Sequence, residues 1–164
     1  MCENRVKLFV TACILLMGAS TAVLGQEIDR VHWITFEQLE DSLKVHPKKV
    51  FIDFYADWCA PCMKMQKDVF TQPNVVKVLN SAYYAIQMNV ECADTIYFGG
   101  QEFVNERINR TNPVHQIPLL IATRKNKPFQ LPAMVILDEN FEATARYFQY
   151  LDERQLLKIL QETK

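Results

Sequence analysis

Residues Val50-Phe51-Ile52-Asp53-Phe54-Tyr55 form a nearly continuous apolar run, too short for a helix and rich in aromatic and β-branched side chains. A run of this kind fits a strand covered on both faces, at the centre of a sheet with helices packed on either side. One charge, Asp53, interrupts it. Directly after the run stands Trp58-Cys59-Ala60-Pro61-Cys62, where the strand would hand over to a helix. The chain must therefore bury this strand and present two cysteines at its end.

The segments on either side read as alternating elements. Thr35 and Gln38 have the spacing of a capping box ahead of Leu39 and Leu43, which predicts a helix that stops by Pro47. A helix opening near Cys59 runs through Met65, Val69 and Phe70 and breaks at Thr71-Gln72-Pro73. Pro73 opens another that ends around Asn80, with Val75, Val78 and Leu79 as its buried stripe. Tyr83 to Val90 reads as a strand, and Gly99-Gly100 as the turn of a hairpin between 94–98 and 101–104. Pro113, Pro118 and Pro128 interrupt residues 113–130, where a helix is expected over 115–124. Pro132–Leu137 and Ala143–Phe148 read as strands joined at Asp138-Glu139-Asn140, and Asp152 with Gln155 caps a last helix carrying Leu156, Leu157 and Leu160. The order β, α, β, α, β, α, β, β, α implies an α/β sandwich with a mixed sheet.

The chain has 164 residues, 49% of them hydrophobic, enough for one domain with a sizeable core. Eighteen Lys and Arg stand against 19 Asp and Glu without a block of like charge, which excludes a basic nucleic-acid surface. Arg5 and Lys7, the apolar run Leu8 to Gly18 and the small residues Ala19 to Ala22 read as a secretory signal peptide over residues 1–25. Cleavage after Gly25, preferred to cleavage after Ala22, leaves residues 26–164. The rival reading keeps residues 8–25 as an uncleaved anchor. Val10-Thr11-Ala12-Cys13 resembles a lipoprotein box but follows Lys7 too closely. Export would leave Cys59, Cys62 and Cys92, too few thiols for a disulfide scaffold and better suited to a redox-active pair.

The placement of that pair has chemical consequences. A helix N-terminus offers partial positive charge and free N–H groups to a thiolate on Cys59, lowering its pKa. Pro61 lacks an N–H, but first-turn N–H groups have no intrahelical partner. The three-residue offset returns Cys62 to the same edge of the helix, where it can attack a mixed disulfide formed on Cys59. A zinc site uses the same spacing but needs about four ligands, and only Cys92 and the scattered His32, His46 and His115 remain. Neither a metal nor another cofactor is expected, and the histidines receive no role. Met63 and Met65 read as packing.

Trp58-Cys59-Ala60-Pro61-Cys62, with Asp53 six positions before the first cysteine, resembles the thioredoxin family. The stretches from Asp53 to Cys59 and from Val69 to Val75 are similar to exported thioredoxin-like proteins related to the C-terminal domain of DsbD-type thiol:disulfide interchange proteins. The similarity runs from about Val31 to Gln161, with an expansion at about 92–129. It implies a thioredoxin-like fold, a three-layer α/β/α sandwich with a central mixed β-sheet. It also implies an exported thiol:disulfide oxidoreductase that reduces protein disulfides, with Cys59 as nucleophile, Cys62 as resolving thiol and Asp53 as proton acceptor. The family places a cis-proline opposite the cysteines. Pro118 and Pro132 compete for that place, and Pro132 is preferred because a strand, a turn, a strand and a helix follow it. Trp58, Pro61, Leu131 and Pro132 would then bind substrate, with the Leu131 backbone turned towards an extended chain.

Three departures bear on substrate preference: Gln87 replaces the Lys usual near the buried Asp, Ala133 the Thr after the cis-proline, and Gln149 a Gly near the groove. The implied setting is outside the cytoplasm, the periplasm if the source is bacterial, with a monomer fed by a membrane-bound electron donor. A disulfide oxidase or isomerase, and a non-catalytic binding module or metallochaperone, are the alternatives. At single residues the bland readings are a core carboxylate for Asp53, core packing for Trp58, an inert buried thiol for Cys92, and a plain surface hairpin at Gly99-Gly100.

Overall fold

The computed structural model describes residues 30–163. The expected signal or anchor over residues 1–25 lies outside them. Among the described residues there are seven strands: β1 (Trp33–Ile34), β2 (Lys49–Tyr55), β3 (Tyr83–Asn89), β4 (Ile96–Phe98), β5 (Gln101–Phe103), β6 (Ala133–Leu137) and β7 (Ala143–Tyr147). Five helices join them: α1 (Phe36–Val45), α2 (Ala60–Asp68), α3 (Pro73–Ala82), α4 (Gln116–Ile121) and α5 (Glu153–Glu162).

The apolar run is the middle strand of a five-stranded sheet ordered β1-β3-β2-β6-β7, with β4 and β5 forming a separate hairpin. β2 pairs parallel with β3 and antiparallel with β6, so the sheet is mixed. Its flanking helices divide the core in two. Phe36 and Leu39 of α1 and Ile117 of α4 join Val50, Ile52 and Phe54 in one cluster. Met65 of α2, Val75, Val76 and Leu79 of α3 and Leu156 and Leu160 of α5 join Phe51 in the other. Alternate side chains of one strand thus feed two layers, as a strand buried on both faces requires.

Local chemistry accounts for most boundaries. Thr35 and Asp152 each form a full capping box, with Gln38 and Gln155, at α1 and α5. Gly99 and Gly100 adopt φ of 62° and 71°, the left-handed pair that a two-residue hairpin needs. Pro118 falls in the first turn of α4, where its missing N–H leaves no helical bond unmade. The cis peptide is Leu131–Pro132.

Tertiary packing corrects the remainder. Val76 rather than Val78 belongs to the fully buried stripe of α3. α4 ends at Ile121, short of the expected 124, because Arg124 and Lys127 pair across a turn that leads into Pro128. The turn after β6 extends past Asn140: Asp138 Oδ1 accepts from the Asn140 and Glu142 N–H groups, and Phe141 takes a φ of 64°. The opening strand, which had no residue-level signal, is the two-residue edge strand Trp33–Ile34 beside β3.

Candidate active site

The strand-to-helix junction folds as the spacing predicts. Cys59 is the N-cap of α2, and its Sγ accepts the Cys62 N–H at 3.3 Å. The cysteines are joined by a disulfide, their Cα atoms 5.2 Å apart, and both are buried. Ala60 and Pro61 follow as the first exposed residues of the helix. A thiolate on Cys59 would occupy the end of a helix with N–H groups directed at it, which favours the charged form.

Asp53 lies in β2, opposite Gln87 of β3 and Met134 of β6 in the strand register. It is 1% exposed, and the Gln87 amide donates to its Oδ2 at 3.0 Å. Burial pushes its pKa up to about 7, against the smaller opposing effect of that hydrogen bond. Where the family usually has a Lys, a neutral donor therefore holds the carboxylate.

Trp58 is 64% exposed, so it is a surface platform rather than core packing. Its indole Nε1 donates to Glu91 Oε1 at 2.8 Å, which pins the ring. Beside it opens a groove of about 400 Å³, with Trp58, Glu91, Leu119, Phe129, Leu131 and Arg107 among its walls. Trp58 and Leu131 both line it. The expected binding residues Pro61, exposed on α2, and Pro132, buried, are not among its lining residues.

The expansion supplies residues that the spacing of motifs could not single out. Buried Asn105 donates through Nδ2 to the Cys92 and Pro113 carbonyls, and its Oδ1 accepts the Arg107 N–H. His115, to which no role had been given, is fully buried: Nδ1 accepts the Ile117 N–H and caps α4, while Nε2 faces the Asp94 carbonyl. Burial lowers the His115 pKa, so the ring is held neutral. Cys92 is half-buried rather than buried, and burial raises its thiol pKa. Charge composition was the readable signal for this region: residues 104–129 carry Arg107, Arg110, Arg124, Lys125 and Lys127 against the single acid Glu106, in a chain of net charge −1. Among the described residues no three His, Cys, Asp or Glu side chains cluster as metal ligands.

A thioredoxin-like family model matches residues 33–138. Among curated proteins, the thiol:disulfide interchange protein DsbD of Haemophilus ducreyi is 37% identical over 90 residues, 43% of this chain and 16% of that protein. DsbD of Pseudomonas fluorescens is 46% identical over 39 residues, 24% of this chain and 7% of that protein. The matched stretches are thus a small part of those relatives. Among solved structures, the reduced C-terminal domain of Neisseria meningitidis DsbD aligns over 78% of this chain and 92% of its own, at 16% identity and a TM-score of 0.50. A thioredoxin from Thermus thermophilus aligns over 81% and 86%, at 17% identity and a TM-score of 0.56. At these identities the structural likeness is one of fold.

Proposed function

Because the chain belongs to the thioredoxin-like family, we propose that it is an exported thiol:disulfide oxidoreductase that reduces protein disulfides. The observation that carries this reading is the Cys59–Cys62 disulfide at the start of α2, with the Cys62 N–H directed at Cys59 Sγ. In the reduced enzyme the Cys59 thiolate attacks one sulfur of a substrate disulfide. A mixed disulfide forms, and the first substrate sulfur leaves as a thiolate and takes up a proton. Cys62 then gives its proton to Asp53 and attacks Cys59 Sγ, releasing the second substrate sulfur. Two electrons pass to the substrate, and the enzyme is left as the Cys59–Cys62 disulfide. A carboxyl with a pKa of about 7 suits that exchange, since it can both accept and return a proton near neutrality.

Trp58 and Leu131 hold the substrate chain, with Pro61 and Pro132 setting the backbone on either side. A reducing role is supported by Pro61 before the second cysteine, since strongly oxidising relatives commonly carry a His there that stabilises the thiolate further. Export is supported by the address over residues 1–25, and an oxidising compartment then requires a membrane-bound dithiol donor to restore the reduced enzyme. Among the described residues no helix is long and apolar enough to cross a membrane.

Equilibration of the protein against dithiothreitol and glutathione buffers tests the direction. A potential near about −270 mV supports the reductase, and one near about −120 mV makes the protein an oxidant. Cys59→Ser must abolish insulin reduction. No reversible couple at all would leave a binding module that uses the groove without turnover.

A further inference from the structure

The groove beside the cysteines has two unlike walls. Trp58 and Leu131 stand on the side of the disulfide, each adjacent in the chain to Cys59 or Pro132. Leu119 and Phe129 add apolar surface, and Arg107 of the expansion is the one cation of the lining. Arg107, Arg110, Lys125 and Lys127 of the expansion are all exposed, and of these Arg107 lines the groove. Among the described residues the ion pairs are those of Lys44 and Lys64, so these cations have no carboxylate partner. Arg124 differs, being stacked on Phe148 and bonded to Gln130. Of the nearby acids, Asp57 precedes Trp58 and Glu91 is bonded to it, while Glu106, next to Arg107, accepts from Gln116.

The loop that carries Arg107 is held at both ends. Asn105 ties its start to Cys92 and Pro113, and the Asn105 side chain accepts the Arg107 N–H itself. Gln116 closes the other end, accepting the Val104 N–H and donating to Glu106. A cation presented by a fixed loop loses less entropy on pairing than one on a free tail.

We propose that the expansion selects substrates: the groove receives an extended segment next to the target disulfide, with a bulky apolar side chain on its floor and an acidic residue beyond it against Arg107. This rests on the exchange reaction above and names the class of protein disulfide that it takes. The apolar lining includes Trp58 and Leu131, next in the chain to Cys59 and Pro132, and the one cation of the lining, Arg107, is supplied by the expansion. Polarity therefore fixes the direction of the bound chain, because acids placed against Asp57 and Glu91 would be repelled.

Two disulfide-containing peptides, identical except for Glu or Lys beyond the apolar residue, decide the matter when their reduction by the full-length reduced protein is followed. Exposed charge pairs are individually weak, so the Glu peptide is expected to react about threefold to tenfold faster at low salt, with the contrast fading as salt screens it. Arg107→Glu should remove or reverse that ratio and Arg107→Lys keep it. Since the ratio is taken within one protein, partial loss of folded material does not affect it. Equal rates, a faster Lys peptide, or a ratio untouched by Arg107→Glu overturns the inference. A small neutral disulfide, 2,2′-dipyridyl disulfide, separates the two levels. If it is reduced while peptide charge has no effect, this inference alone fails; if it is not reduced either, the exchange reading fails and takes the inference with it.

Discussion

Asp53 adds a pH dependence of its own to the stability of the molecule. Asp53 is unfolded at an ordinary pKa near 3.9 and folded at about 7. The folded state therefore binds a proton that the unfolded state has lost, and the stability this confers is complete below about pH 4 and is lost as pH rises through 7. Over that window the oxidised protein should lose about 4 kcal/mol that Asp53→Asn does not lose. Urea unfolding at acid and alkaline pH measures the difference. A wild-type curve parallel to that of Asp53→Asn would mean that the carboxyl is not held as the buried site implies. Gln87→Lys should pull the Asp53 pKa back down by placing a cation where the neutral amide now donates, flattening the same curve. Cys59, Cys62 and Asp53 were legible in the sequence because strand, motif and helix follow one another within ten residues. Glu91, Asn105 and His115 were not, since their partners are 33, 13 and 21 residues away and no periodicity records them.

At the scale of elements, the same contrast separates regular segments from the expansion. α1 and α5 announce themselves through capping boxes, and Thr35→Ala should cost about 1 kcal/mol in thermal or urea unfolding by releasing the Gln38 N–H. α4 has only six residues, so its ends matter more than its propensity. His115 supplies one end, with Nδ1 on the Ile117 N–H and the ring packed without exposure. His115→Ala removes that cap, opens a cavity and leaves the Asp94 carbonyl facing it, at a cost of about 3 kcal/mol. Near-native stability in that variant would show that the expansion tolerates an empty centre. The sequence placed a helix here but overshot its end, because the Arg124 to Lys127 turn is decided by contacts of Arg124 with Gln130 and Phe148. The hairpin, in contrast, was readable from two glycines alone.

On the scale of the whole molecule, the hairpin of the expansion is joined to α1 and to the turn after β6 through a short aromatic chain. Phe98 of β4 packs edge-on against Phe36 of α1 at 5.8 Å and tilted against Phe141 at 5.0 Å. Glu37 and Glu40 of α1 accept the Tyr97 and Gly99 N–H groups, so the hairpin rests on α1 rather than on the sheet. β2, β3 and β6 keep their own ladders without it. Phe98 is half-buried, and Phe98→Ala should therefore cost about 2 kcal/mol, roughly half the usual price of a fully buried Phe. Because the hairpin leads directly into Val104 and Asn105, that loss falls on the loop that carries Arg107 and not on the N-terminus of α2. Hydrogen exchange on the variant should show faster opening over residues 96–107 with β2 and β3 unchanged, while the Cys59–Cys62 potential stays where it was. Equal loss of protection in β2 would mean that the expansion and the sheet open as one unit, and that the groove wall cannot be altered without disturbing the cysteines it serves.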